Sequence, residues 1–311
     1  MAKVWMQSAS SKSSRAVGFT LIELSIVLVI IGLIVGGVLV GQDLIRAAEV
    51  RATVSQIEKY NTAVNTFRGK YNALPGDMNN ATALQFGFTQ RGQYTGQGDG
   101  NGVIEGSIAN AANNYYGNAE TAGETLMFWV DLTTANGLNL ALIDGNFSSA
   151  NPTTPSASDI TGTGIALYLP PAKLGRGNYI YVYSGGFVQN LGPGNSDDTN
   201  YFGISAVTKL VGGANGSLVS SPTLPVNQAY SIDKKTDDGL PQSGRVTAVY
   251  LNSGTYWAAP GSTYNPPYTT PVTGSPTTCY DNGGVNGVVQ SYSLGQNSGS
   301  GPNCAVSFRF Q

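Results

Sequence analysis

The stretch that decides the fold is GFTLIELSIVLVIIGLIVGGVLVGQ, Gly18 to Gln42. It is apolar throughout except for one carboxylate, Glu23, and the next charge is Asp43. An acid at the centre of a membrane helix costs about 2.5–3.5 kcal/mol on insertion scales, so such residues are rare and tend to be functional. Leu24 to Gln42 is 19 residues, about 28 Å of helix, which spans a hydrocarbon core. Upstream, residues 1–17 carry Lys3, Lys12 and Arg15 and no acid. Positive charge ahead of an apolar run holds that end in the cytoplasm and sends the downstream chain across the membrane.

The remaining composition narrows the function classes. Among 311 residues there are 41 Gly, 17 Tyr, no His and 11% charged residues. Lacking histidine, the chain lacks the commonest general base and metal ligand, so we expect no enzyme. Paired carboxylates can hydrolyse glycosides, but no cleft signature accompanies them. The net charge is −2, and the one basic run, Lys234-Lys235, lies among Asp233, Asp237 and Asp238. No nucleic-acid partner is expected from such a pattern.

An ordinary secretory leader would place a small-residue cleavage site after the apolar run. Here the run passes through Gly36, Gly37 and Gly41 straight into charged helical sequence. Gly18 to Leu24, GFTLIEL, behind a basic leader, resembles the class III signal of type IV pilins and type II secretion pseudopilins. The resemblance rests on Gly18, the following Phe19, the acid four residues further on and the long apolar helix. It implies cleavage between Gly18 and Phe19 by the prepilin peptidase, and N-methylation of Phe19. It further implies that Glu23 pairs with the terminal ammonium of a neighbouring subunit during assembly. Each charge is costly alone in lipid and less so when paired, so such a pair can set axial register. Glu23 also lies near enough to the helix start to sit simply at headgroup level.

Partners implied by the resemblance are identical or related pilin subunits and the inner-membrane assembly machinery. The implied location is a single-pass inner-membrane protein before assembly and an extracellular or periplasmic filament afterwards. The function it implies is a type IV pilus-like subunit for adhesion or motility, with a type II secretion pseudopilin as the alternative. A bitopic adhesin or receptor that never polymerises is the reading from another class. Val40 stands where many family members carry a helix-kinking proline. Without the three leader cations, the count becomes 13 basic against 18 acidic residues, a net charge of −5.

Beyond Gln42 charges of both signs appear. Val50, Val54, Ile57, Tyr60, Val64, Phe67 and Tyr71 recur at spacings of three and four, one stripe of a helix. Pro75-Gly76 is the expected stop. The organisation predicted is therefore a leader at 1–18, a membrane and polymerisation helix at 19–42, an amphipathic continuation at 43–74 and a globular head at 75–311. The fold class is α+β and pilin-like, the long helix packing on an antiparallel sheet. Glu124–Asn136 reads as a short helix. NYIYVYS (Asn178–Ser184), NYFGISAVT (Asn200–Thr208), RVTAVYL (Arg245–Leu251) and the AVSFRFQ segment from Ala305 read as strands. Asn146–Gly164 and Ser253–Thr278 read as surface loops.

Two further features suggest chemistry. QGDGNGVIEGSI (Gln97–Ile108) imitates a calcium loop, with oxygens expected from Asp99, Asn101, Val103 and Glu105 and a sharp turn at Gly102. Gln97 and Ile108 stand where acids would strengthen it, so any calcium bound is held weakly; a turn without an ion is the plain reading. Asp237-Asp238-Gly239 could join Asp233 in a second oxygen cluster, or form a turn after a short helix. Cys279 and Cys304, the two cysteines, form one disulfide in an exported chain or remain two buried thiols. The pair resembles the C-terminal disulfide loop of many type IV pilins.

Overall fold

The computed structural model describes residues 20–94, 96–106, 122–133, 142–147, 150–153, 156–184, 199–212, 218–251, 258 and 269–310. Gly18, Phe19 and Ile108 lie outside the described residues, as do most of 252–268. The chain divides into two compact units, Met1–Ala47 and Ala48–Gln311.

Helix α1 runs Leu21–Tyr71. Through the first unit its large apolar side chains are exposed, from Leu21 at 86% to Ile45 at 61%. In the second unit the same helix buries Val50, Thr53, Ile57, Tyr60, Ala63, Val64, Phe67 and Tyr71. The predicted stripe is thus the buried face, with Val54 half-buried beside it. The helix stops at Tyr71, three residues before Leu74. Asn72 takes φ 52°, the left-handed conformation that ends helices, so Pro75 only prevents resumption.

The rest of the second unit lays a sheet and short helices against that stripe. Helix α2 spans Asn80–Gln85 and α3 spans Glu124–Leu132. Every residue of α3 is buried, which explains a sequence apolar nearly all round. Of the helix expected over Glu124–Asn136, the part to Leu132 forms; Thr133 follows in extended conformation. Strand β1 is Ile160–Thr161, followed by a 3-10 turn over Gly162–Leu167. The loop predicted over Asn146–Gly164 is corrected at this point: Ile160 and Thr161 pair with Leu210 and Lys209.

Strand β2 is Asn178–Ser184, the predicted limits, and β3 is Asn200–Leu210, two residues longer than predicted. Strand β4, Leu218–Ser221, and helix α4, Val226–Thr236, come next. Strand β5 is Val246–Tyr250, β6 Tyr280–Asp281, β7 Ser291–Tyr292 and β8 Cys304–Arg309. All pairings are antiparallel. Strand β3 is central: β2 pairs along it from Asn178↔Ala206 to Ser184↔Asn200, and β8 pairs with it from Tyr201↔Arg309 to Ile204↔Val306. Strand β5 then pairs with β8, from Val246↔Phe308 to Tyr250↔Cys304.

One face of this sheet meets the helices. Phe202 lies within ring-contact distance of Tyr60, Phe128 and Trp129, and Tyr60 meets Trp129 edge-on at 5.2 Å. Buried aromatics at these separations add about 0.5–1.5 kcal/mol each beyond their area. The other face is polar yet buried. Tyr181 bonds Ser205 and accepts the amide of Ala258, while the Tyr183 hydroxyl lies 2.6 Å from both the Ser307 hydroxyl and the Ala258 carbonyl and gives its one hydrogen to this pair. Gly203 faces Tyr181 across the ladder, and a Cβ there would fall 2.3 Å from the tyrosine ring.

Candidate functional site

Three places in the described chain carry the residues singled out by sequence. The first is the start of α1. Glu23 accepts hydrogen bonds from the Thr20 amide at 2.8 Å and the Thr20 hydroxyl at 2.9 Å. The Glu23 amide returns a bond to the Thr20 hydroxyl at 3.2 Å. This is a reciprocal capping box, which satisfies amides that the first helical turn leaves without partners. Its T-x-x-E signature stands in the sequence at Thr20–Glu23, so this local role of Glu23 was legible and was missed. The expected pairing of Glu23 with the terminal ammonium of a neighbouring subunit's Phe19 involves a residue outside the described set.

Among the described residues, α1 alone is long and apolar enough to cross a membrane. Its most apolar 18 residues reach a mean hydropathy of 2.9, and none of that window is buried. Among the described residues, then, no part of the chain covers this segment.

The second place is the loop from Gly96 to Glu105. Carboxylate oxygens of Asp77, Asp99 and Glu124 approach within 4.8 Å of one another. Of the two acids among the predicted calcium ligands, Asp99 joins this group and Glu105 does not. Asp77, from the turn after α1, accepts the amides of Gly100 and Gly102 at 2.8 and 2.7 Å. Glu124, the first residue of α3, accepts those of Gly98 and Glu105 at 2.8 and 2.9 Å. Asn101 bonds Asp99 through its amide and side chain, reaches Glu105 at 3.3 Å, and accepts the Val103 amide at 2.7 Å. Asn200 of β3 pins the loop by bonding the Ile104 amide and the Gly102 carbonyl.

Burial pushes the Asp77 carboxyl up to about 7, helped by the charge of Asp99 and opposed by the amides of Gly102 and Gly100. Glu124, completely buried and facing Asp77, is raised well above the ordinary carboxylate value. Calcium takes six to eight oxygens. Three carboxylates could contribute to such a shell, but the amides around Asp77 and Glu124 already account for both positions.

Neighbouring this loop is a buried ion pair that sequence reading did not anticipate. One Arg91 nitrogen lies 2.6 Å from both oxygens of Asp131, and neither side chain is exposed. Asp131 also accepts the Gly76 amide at 2.7 Å. Gly76 itself has φ +84°, and a Cβ would sit 2.3 Å from the Glu124 carbonyl. The turn after α1 is therefore held against α3 by backbone contact on one side and by Asp131 on the other.

The third place is the disulfide. Cys279 and Cys304 are bonded, with Cα atoms 5.2 Å apart and both side chains buried. It fastens the segment before β6 to β8 across a separation of 25 residues. Closing such a loop contributes about 3.5 kcal/mol in the chain-entropy account. Tyr280 stacks on Tyr250 at 4.5 Å, and Tyr292 of β7 donates to Asp233 of α4 at 2.8 Å. Asp233, in the last turns of α4, also accepts the Gly239 amide, which closes the turn that follows the helix. Asp233, Asp237 and Asp238 do converge, but Asp237 bonds the amides of Arg245 and Val246, and Asp238 bonds Leu240 and Ser243.

No known protein family, curated protein or solved structure matches the chain.

Proposed function

We propose that this chain is a structural subunit of a pilin-type filament, cleaved after Gly18, anchored by its apolar helix and polymerised through it. The observation that carries this reading is the exposure of α1 from Leu21 to Ile45. So much apolar surface without an internal partner requires lipid or other copies of the same helix. Support comes from the basic leader, from GFTLIEL at the processing position and from a helix whose second half is built into an α+β head. The role proposed is adhesion or motility rather than catalysis. Its partners are other pilin subunits, the prepilin peptidase and the inner-membrane assembly machinery.

One observation favours a second reading, a bitopic membrane protein that never polymerises. Glu23 already has partners in its own chain, at Thr20, so its presence does not demand an ammonium from a neighbour. Two substitutions separate the readings. Glu23→Gln keeps a capping-box side chain but removes the charge, whereas Glu23→Ala removes both. A filament subunit paired through Glu23 loses assembly in both variants while remaining in the membrane. Normal filaments with Glu23→Gln would show that the cap alone matters. Mass spectrometry of filaments sheared from the native cells completes the test. An abundant peptide beginning at N-methylated Phe19 is expected there, and a leader-bearing chain confined to the membrane fraction would overturn the proposal.

A further inference from the structure

Asparagine is followed by glycine at Asn101, Asn136, Asn215, Asn282 and Asn286. The pairs at Asn101, Asn282 and Asn286 lie among the described residues. An asparagine side chain so placed can be attacked by the backbone nitrogen of the next residue, because glycine has no Cβ to crowd the approach. By sequence these pairs are equivalent. The fold makes them unequal.

The attack needs a side chain free to turn and a backbone nitrogen able to give up its proton. Asn282 is buried, its Oδ1 accepts the Val272 amide at 2.7 Å, and its Nδ2 donates to the carbonyls of Thr270 and Val288 at 3.0 and 2.9 Å. Asn101 is exposed but held. Its Oδ1 accepts the Val103 amide at 2.7 Å, and its Nδ2 donates to Asp99 and Glu105 at 3.2 and 3.3 Å. In both pairs the attacking amide also faces a carboxylate: Gly283 donates to Asp281 at 3.1 Å, and Gly102 to Asp77 at 2.7 Å. Removing a proton there would set two negative charges side by side, which like-charge repulsion opposes.

Asn286 differs at each point. It is exposed, on the turn that joins β6 to β7. Among the described residues its side chain has no hydrogen-bond partner. The Gly287 amide donates to the Thr269 carbonyl at 3.2 Å, a neutral acceptor on an exposed residue. A Cβ built at Gly287 would meet nothing within 4 Å, so no neighbour obstructs ring closure. The surroundings are uncharged: Val285, Val288 and Val289 are exposed, and Asp281 is the one charged residue between positions 252 and 303.

We propose that Asn286 is a self-modification site, at which the chain converts its own asparagine to aspartate and isoaspartate. The Gly287 nitrogen gives its proton to solvent base and forms a bond to Cγ of Asn286. The Cγ–Nδ2 bond breaks, and the amide nitrogen leaves as ammonia after taking a proton from water. A water molecule then opens the cyclic imide, giving aspartate when it adds at Cγ and isoaspartate when it adds at the backbone carbonyl of residue 286. One water is consumed and one ammonia released, with no change in oxidation state. The product sets a negative charge beside Val285 and Val288, so an apolar turn becomes anionic as the chain ages. The site lies wholly within the head, so the proposal stands whether or not the chain polymerises.

The test holds the purified full chain in detergent, in mildly alkaline buffer at physiological temperature, and follows the peptides around Asn101, Asn282 and Asn286 by mass spectrometry over time. Conversion reads as the mass gain of exchanging an amide for an acid, in two products that separate by chromatography. Asn286 is expected to convert at least about tenfold faster than Asn101 or Asn282, and faster still as pH rises. In urea, where each asparagine keeps its glycine neighbour but loses the fold, the rates should draw together. Gly287→Ala should slow conversion of Asn286 about tenfold or more by placing a Cβ beside the attacking nitrogen, with Asn101 and Asn282 unaltered. An unchanged unfolding temperature will show that this variant folds. Equal rates at the three positions in the folded chain, an Asn286 that stays unconverted there, or a rate ratio that persists in urea would each overturn the proposal.

Discussion

The two halves of α1 are one helix by hydrogen bonding and two by chemistry. From Leu21 to Ile45 the apolar residues cover every side, and all the large ones are exposed. From Val50 to Tyr71 they keep to one stripe, and that stripe is buried down to 0% exposure at Phe67. A helix in water needs an apolar stripe against its own domain, with polar residues elsewhere. One in lipid can be apolar all round, because its surroundings are as apolar as its side chains. The contrast is what the proposed function accounts for: it gives lipid or neighbouring helices to the first half, while the second half packs on the protein's own sheet.

Substitution can break this comparison directly. The largest effect is expected from Phe67→Ala, which removes a ring packed on Phe88 and Tyr71 and should destabilise the head by about 3–5 kcal/mol. Urea unfolding of the full chain in detergent would measure it, and Ile30→Ala in the first half should leave the same transition unmoved. A comparable loss from Ile30→Ala would mean that the first half is also part of the folded core.

Next in size is Ile30→Asp, expected to cost about 2.5–3.5 kcal/mol of membrane insertion. Membrane fractionation should show a shift to the soluble or degraded pool, with no change in the urea midpoint of whatever chain remains. Undiminished membrane association would remove the assignment of that half to lipid.

The smallest effect is a pH dependence confined to the head. Burial raises Asp233 from its ordinary 3.8 to about 7, opposed by bonds from Tyr292 and Gly239 and reinforced by the charges of Asp238 and Asp237. Between about pH 4 and 7 the folded chain holds a proton on Asp233 that the unfolded chain releases, so this contribution to stability falls as pH rises and is level above the folded value. Asp233→Asn should lessen that slope in thermal unfolding scans, the raised Asp77 and Glu124 carboxyls carrying what remains, and an identical slope in the variant would reject the assignment. The first half of α1 has no share in this titration.

How much of this was legible depends on the distance over which each feature is encoded. The stripe on α1 needs only the helical period, so every residue predicted for it is buried or half-buried. Strand β2 has its predicted limits because NYIYVYS is rich in strand formers and is flanked in the sequence by Gly177 and Gly185. The disulfide followed from two cysteines in a chain read as exported. The carboxylate cluster was only partly legible. Asp99 lies inside the motif, but Asp77 and Glu124 come from well before it and well after it in the chain, and no local pattern joins them. Arg91 and Asp131 were missed for the same reason, since an ion pair buried 40 residues apart in sequence leaves no periodic trace. Thr20 was a different kind of omission: its signature was local, and attention to the charge of Glu23 passed over its simplest partner.

Strand β8 has one more implication, which concerns time rather than stability. It lies between β3 and β5, so β5 has no strand partner among the described residues, and stays detached from the sheet, until residues 304–309 arrive. Those residues also carry Cys304, so sheet closure and disulfide formation await the same short segment. During synthesis the apolar stripe of α1 emerges more than two hundred residues earlier; Phe88, Trp129 and Phe202 reach it first, but the sheet behind them stays incomplete. Pairings of such long sequence separation form slowly and leave apolar surface open meanwhile. A chain of this design has a long vulnerable interval in which a holding partner would be of most use, and the interval ends only when residue 309 has joined the sheet.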